Sequence, residues 1–181
     1  MVFTEDQLME FSQINHKKVE TMFEDGFFTL IIHLMGNHGK ATKFTARVIV
    51  IISIWNDEKE LGEVYSETFM YQVCEHTYRE ADTSFVAFKK VPKEEQQTWL
   101  DASAKNSATL LIEISSTTAN ANIDLKKTVE FWIPFGTNYV IVVNLEERKW
   151  HFFKNSTLYS THSFSEKFVA PADLPDLVLD F

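Results

Sequence analysis

Cysteine is nearly absent. The single residue, Cys74, excludes an intramolecular disulfide and any zinc cluster built on several cysteines, and it fits a reducing compartment. Glycine (five) and proline (four) are scarce among 181 residues, so neither a collagen-like repeat nor a linker composition is present. Long apolar runs are missing too. The longest, VIVIISIW (Val48 to Trp55), is far too short to span a bilayer. The opening MVFTEDQLMEF carries acids where a signal peptide needs a basic region, so no membrane or secretory segment is expected and the location is expected to be intracellular. Positive charge is also in deficit. A net charge of −9 argues against a sequence-independent DNA coat, which needs a basic surface. Any nucleic-acid contact must therefore be local, with Lys17–Lys18, Lys89–Lys90 with Lys93, and Lys126–Lys127 as the candidates.

What is present is a globular chain. Hydrophobic residues make up 45% and sixteen are Phe, enough for one domain over residues 1–181 with a substantial core. Thr4 and Gln7 form a capping-box pattern that opens a short helix through Leu8, Phe11 and Ile14. Asp25-Gly26 is a turn, followed by a strand in FFTLIIHLM (Phe27 to Met35). Phe44, Val48, Ile51, Ile52 and Trp55 recur at helical spacing, which predicts a packed helix over Lys40 to Trp55. GEVYSETFM, YQVCEHTY and DTSFVAF read as three strands, and KEEQQTW as a loop or a single helical turn. LLIEI (Leu110 to Ile114) reads as a buried strand, and Leu125, Val129 and Trp132 mark a helix ending near Pro134 and Gly136. NYVIVVNLEERKWHFFKN reads as a hairpin turning at Glu146–Arg148, and the tail closes on a short apolar segment. The order helix, strand, helix, strands, helix, hairpin predicts an α/β or α+β fold with a mixed sheet.

Two acids stand in unusual places. Glu113 interrupts the apolar run of LLIEI, and Asp82 begins the strand that continues through Phe85, Val86 and Phe88. A carboxylate withdrawn from water costs several kcal/mol unless it is paired or takes up a proton. If the two strands are neighbours, the acids converge, and converging carboxylates are stable mainly around a cation or a shared proton. Mg²⁺ suits such a pair, because it takes one or two carboxylates and keeps waters for a phosphate substrate. The alternative is that Asp82 caps a turn while Glu113 pairs with Lys or Arg.

From Phe3 to the C-terminus the chain resembles the Uma-two family of restriction-endonuclease-like proteins, in the PD-(D/E)XK nuclease superfamily. FTEDQLMEF, FEDGFF, the His38 segment, YREADTSFVAF, LLIEISSTT, DLKKTVEFWIPFGTNYVIVVN and ADLPDLVLDF carry the resemblance. It implies a restriction-endonuclease-like core, a mixed β-sheet flanked by helices. The family's metal-binding aspartate falls on Asp82 and its glutamate on Glu113, with Mg²⁺ or Mn²⁺ as the ion and DNA as the substrate.

The chain departs from the family pattern at three points. Ala108-Thr109 stand where family members carry Pro-Asp. Met22 stands where they carry a glutamate, three residues before the Asp-Gly turn, so Glu20 can join the metal only from an offset position. The family's catalytic lysine lies eight residues before a glycine, and counting back from Gly136 gives Thr128. A helix turns about 100° per residue, so Lys127 points well away from Thr128, which shares the sheet-facing side of Leu125, Val129 and Trp132. Lys127 then serves only if the helix is rotated or its stem bends round. Weak cleavage is expected, with Thr128→Lys raising it.

His33 and His38 lack a zinc-ligand spacing, and Ser115 to Thr118 read as helix caps, not nucleophiles. Trp132 and Phe131 read as core. Two function classes follow: a metal-dependent DNA endonuclease, or a non-catalytic module of the same fold that binds nucleic acid or a partner. A homodimer is expected, with the strand surface of NYVIVVN available for pairing.

Overall fold

Six consecutive residues, Leu110 to Ser115, form a strand in which every side chain is buried, so both faces of the sheet must be covered around it. The computed structural model describes residues 19–24, 27–32, 38–101, 103–154 and 157–181, with backbone only for residues 19–24, 27–32, 38, 100 and 101. In chain order the elements are β1 (Val19–Glu24), β2 (Phe27–Ile32), α1 (His38–Lys59), β3 (Gly62–Ser66), β4 (Met70–Cys74), β5 (Thr77–Glu80) and β6 (Thr83–Ala87). There follow α2 (Lys93–Gln97), β7 (Leu110–Ser115), α3 (Thr118–Lys127), a π-helical turn (Thr128–Trp132), β8 (Tyr139–Asn144), β9 (Lys149–Lys154), β10 (Thr157–Ser163), β11 (Phe168–Val169) and β12 (Val178–Leu179).

The main sheet has six strands in the order β10-β9-β8-β7-β6-β3. Only β7 and β8 run parallel, joined by the α3 crossover, and all other pairs are antiparallel. This is a mixed α/β architecture with a mainly antiparallel sheet and helices on its faces. Alternation along the strands divides the core in two. On one face Phe85, Ile112 and Ile141 meet Val48, Ile52 and Trp55 of α1 and the C-terminal Leu174, Leu177 and Leu179. On the other, Val86, Leu111 and Val142 meet Tyr71, Trp99 and Trp132. Glu113, two residues beyond Leu111, belongs to this second face.

The helix expected over Lys40 to Trp55 extends at both ends, and its buried stripe is Val48, Ile52 and Trp55 as the spacing required. It stops where Glu60 takes a left-handed backbone (φ 52°) and Asn56 clamps Gly62, donating from Nδ2 to its carbonyl and accepting its N–H on Oδ1. Gly62 is dictated by contact. A Cβ there would lie 2.2 Å from the Val86 carbonyl oxygen and 2.6 Å from the Phe85 ring. The segment GEVYSETFM breaks at Glu67–Thr68 into β3 and the start of β4, and YQVCEHTY folds back at Glu75–His76 into the β4–β5 hairpin. β10, which the sequence pattern did not indicate, pairs with β9 as the sheet edge. The NYVIVVN strand is not available for pairing with a second chain, because β8 is bonded to β7 on one side and β9 on the other. The predicted helix before Ile14 and the turn at Asp25-Gly26 lie outside the described residues. No helix among the described residues is long and apolar enough to cross a membrane.

Gly62→Ala should lower stability by about 1–3 kcal/mol, because the added methyl meets backbone that cannot yield. Gly39→Ala, whose methyl would find nothing within 4 Å, should be neutral or stabilising. Urea melts of the two variants check the contrast.

Candidate active site

The antiparallel register of β6 and β7 sets Thr83 opposite Ile112. One further step brings Asp82 opposite Glu113 on the same face of adjacent strands, where cross-strand neighbours stand about 5 Å apart at Cβ. The Ile114 N–H donates to Asp82 Oδ2 at 2.5 Å and fixes that carboxylate against β7. Glu113 is 3% exposed. Its Oε1 accepts from the Trp132 indole Nε1–H at 2.7 Å and lies 3.0 Å from Lys127 Nζ. Lys127 Nζ also donates to the Glu80 carbonyl oxygen at 2.8 Å, and it sits 5.5 Å from the Trp132 ring centroid. Glu113 thus faces Asp82 and is also paired with a lysine.

A third carboxylate stands close by. Asp124 on α3 accepts a hydrogen bond from Ser115, the residue two beyond Glu113 on the same face. The sequence did offer a signal for it. Asp124 precedes Lys127 by three residues and so shares its side of the helix.

Desolvation pushes the Glu113 carboxyl well above its ordinary value; the Lys127 charge opposes this, while Asp124 and Asp82 reinforce it. Asp82 is raised as well, first by burial, against the pull of the Ile114 hydrogen bond and with Asp124 adding to the rise. Burial and mutual repulsion thus hold both carboxyls above the usual carboxylate range, even with Lys127 beside them.

Lys127 reaches this position through an irregularity of the helix. After α3 the backbone opens into a π turn, in which Ile133 N–H donates to the Thr128 carbonyl and Thr137 N–H to the Trp132 carbonyl. In an α-helix, residues five apart diverge by about 140°, whereas a turn closed from i to i+5 brings them to one side. Lys127 and Trp132 therefore both meet Glu113 Oε1. Such a turn holds one residue more than an α turn, and Lys127 precedes Gly136 by nine positions where the family spacing is eight. The expectation that Lys127 points away is thus corrected. Thr128 is fully buried and Val129 is 58% exposed, so Val129 does not share the sheet-facing side. Gly136 closes the segment with φ 97°, a conformation that favours glycine.

Glu20 lies on β1, opposite Ile31 and beside β5, but its side chain is outside the described residues. Among the described residues, no three His, Cys, Asp or Glu side chains are grouped so as to ligate one ion. Thr109, in place of the family's aspartate, accepts the Ala87 N–H at 2.9 Å and serves the sheet. Lys90 is not an open nucleic-acid contact. It donates to the Ala108 and Gly136 carbonyls, each at 2.8 Å, and to Asn138 Oδ1 at 2.6 Å. Lys126 is exposed and pairs with Glu130 at 3.6 Å. Thr117 caps α3 by accepting from Asn120 N–H, as the Ser/Thr cluster implied. Trp132 is core, but it also holds Glu113, a role its apolar context did not announce. His33 and Lys17–Lys18 lie outside the described residues, as does the side chain of His38.

The sequence pattern of the Uma2 family, described as "Putative restriction endonuclease", matches residues 10–181. No curated protein matches. A solved structure from Anabaena variabilis, titled as "a putative nuclease belonging to DUF820", superposes with a TM-score of 0.68 at 13% identity, covering 99% of this chain and 95% of that one. At that identity the likeness establishes the fold.

Asp82 takes up a proton in the folded state at a pH where the unfolded chain has lost it, so its contribution to stability is present in acid and declines as pH rises through the raised value. Asp82→Asn in the presence of a chelator should therefore raise Tm at pH 8 by about 2–4 °C, for roughly 1 kcal/mol, with a smaller gain at pH 5. Thr128→Lys places an ammonium in a fully buried position. It should destabilise by about 3 kcal/mol or more in thermal melts instead of raising cleavage.

Proposed function

The chain belongs to the Uma2 family, and on that premise we propose that it is a metal-dependent DNA endonuclease, a single domain working inside the cell. The observation that carries this reading is the meeting of Asp82, Glu113 and Lys127 on one sheet face, two acids and an ammonium held by three different elements. Nucleases of restriction-endonuclease type characteristically use divalent metals, and the residues fit one. Asp82 and Glu113 offer hard oxygen donors, and Mg²⁺ or Mn²⁺ needs only one or two carboxylates beside water and phosphate oxygens. Glu20, on the strand beside β5, is the candidate third ligand.

Asp82 and Glu113 would hold the ion, whose chemistry there is to polarise the phosphodiester and lower the pKa of its water. Lys127, beside Glu113, carries the positive charge that neutralises phosphate and orients the attacking water. Trp132 keeps the Glu113 carboxylate in one orientation through its N–H. Exposed Lys126, next in sequence, offers a backbone-phosphate contact at the rim. The active unit is a homodimer formed through β10, one of the two edges of the main sheet among the described residues, where Leu158 (53%) and Tyr159 (70%) are exposed.

Purified protein with Mn²⁺ and plasmid should give nicked and linear products. Asp82→Ala should abolish them, and Lys127→Ala should slow cleavage about 10²- to 10³-fold. Mn²⁺ binding without cleavage by wild type would instead select the non-catalytic module of this fold. Light scattering at tens of micromolar should report a dimer, and a charge placed at Tyr159 should return it to monomer.

A further inference from the structure

Lys127 stands where a cation would. Its Nζ is 3.0 Å from Glu113 Oε1 and donates at 2.8 Å to the Glu80 carbonyl oxygen, and the side chain is 17% exposed. Hard oxygens of this kind are also what a divalent ion selects. The Lys127 Nζ is 5.5 Å from the Trp132 ring centroid, and the indole N–H donates to the same Oε1. Asp82 and Asp124 both bear on Glu113 with negative charge, and Lys127 is the cation that answers them. An ammonium and a divalent ion sharing one buried carboxylate repel each other strongly, because little water screens them.

Resting on the metal-dependent reading above, we infer that Lys127 is the resident counter-ion of the Asp82–Glu113 pair and yields Glu113 Oε1 when a divalent cation binds. In the metal-free protein Lys127 keeps the buried carboxylate from standing unpaired, and in doing so it lowers metal affinity. On metal binding it is released from Glu113 and becomes available to substrate phosphate. The coupling is reciprocal: whatever holds Lys127 on Glu113 weakens the metal, and the metal frees Lys127. Positive charge is thereby kept at the site in both states, and the lysine is available for chemistry only once the ion is present.

Calorimetry with Mn²⁺ at fixed pH and ionic strength tests this. Lys127→Met keeps the apolar stem and removes the charge, and it should bind Mn²⁺ about tenfold more tightly than wild type. Equal or weaker binding overturns the inference. Asp82→Ala, measured alongside, separates the two levels. If it abolishes binding while Lys127→Met leaves affinity unchanged, only the counter-ion role fails. If wild type binds no Mn²⁺, or binding survives Asp82→Ala, the metal-site reading itself fails and this inference with it. Should Lys127→Met not fold, wild type supplies a second measurement: acylation of lysine amines, read residue by residue by mass spectrometry. Labelling of Lys127 should rise several-fold on adding Mg²⁺ relative to exposed Lys105, and no rise overturns the proposal.

Discussion

The carboxylate of Glu113, buried in the central strand of the sheet, sets the terms for the second face of the molecule. A charge in that position must be answered by donors or cations within reach, since desolvation alone costs several kcal/mol. Lys127 and Trp132 answer it on one oxygen. To bring both there the helix after β7 has to widen into a π turn, and Gly136 has to close the segment with a positive φ. Lys90 then ties the end of that segment to β7, by bonding the Gly136 and Ala108 carbonyls together. The buried acid, the irregular helix and the capping lysine form one connected set of constraints.

The same set explains why the site is built across elements instead of along one. Asp82 comes from the entrance of β6, Glu113 from the middle of β7, Lys127 from the end of α3, and the Glu80 carbonyl from β5. The two acids are held by a backbone and an indole donor with little freedom to move. The Ile114 N–H on Asp82 uses an amide of the neighbouring strand, and Trp132 is packed edge-on against Tyr71 at 5.7 Å between ring centroids. Tyr71 in turn bonds Ser84, two residues after Asp82, so the floor of the site links both acids through one buried chain of contacts. Such rigidity suits a site whose function depends on holding charges in position before a substrate arrives.

Holding like charges close together works against stability. Asp82, Glu113 and Asp124 repel one another, burial raises the carboxyls, and the single ammonium offsets only part of this. The hydrophobic face packed by α1 and the C-terminal tail carries no buried charge among its core residues, and its burial of apolar surface offsets the electrostatic cost of the other face. A division of labour between the two faces of one sheet is what allows a crowded polar cluster to persist in a chain of this size.

Much of the plan was legible in sequence because it rests on local pattern. The α1 stripe, the β8–β9 hairpin and its turn, the all-buried β7 and the capping at Thr117 follow from periodicity and turn chemistry, which are properties of neighbouring residues. The oddity of Glu113 was visible as a charge inside an apolar run, and the family resemblance named Asp82 as its companion. What the sequence could not determine was the reach of Lys127. A regular helix at about 100° per residue turns that lysine away, and nothing local announces that five residues will close a wider turn. That choice is made by tertiary contacts: the buried carboxylate attracts both the ammonium and the indole, and the helix backbone accommodates them. Nor could it show β8 lying inside the sheet and not at its edge. Strand order and helix phase depend on residues far apart in the chain, and only their packing against one another decides them.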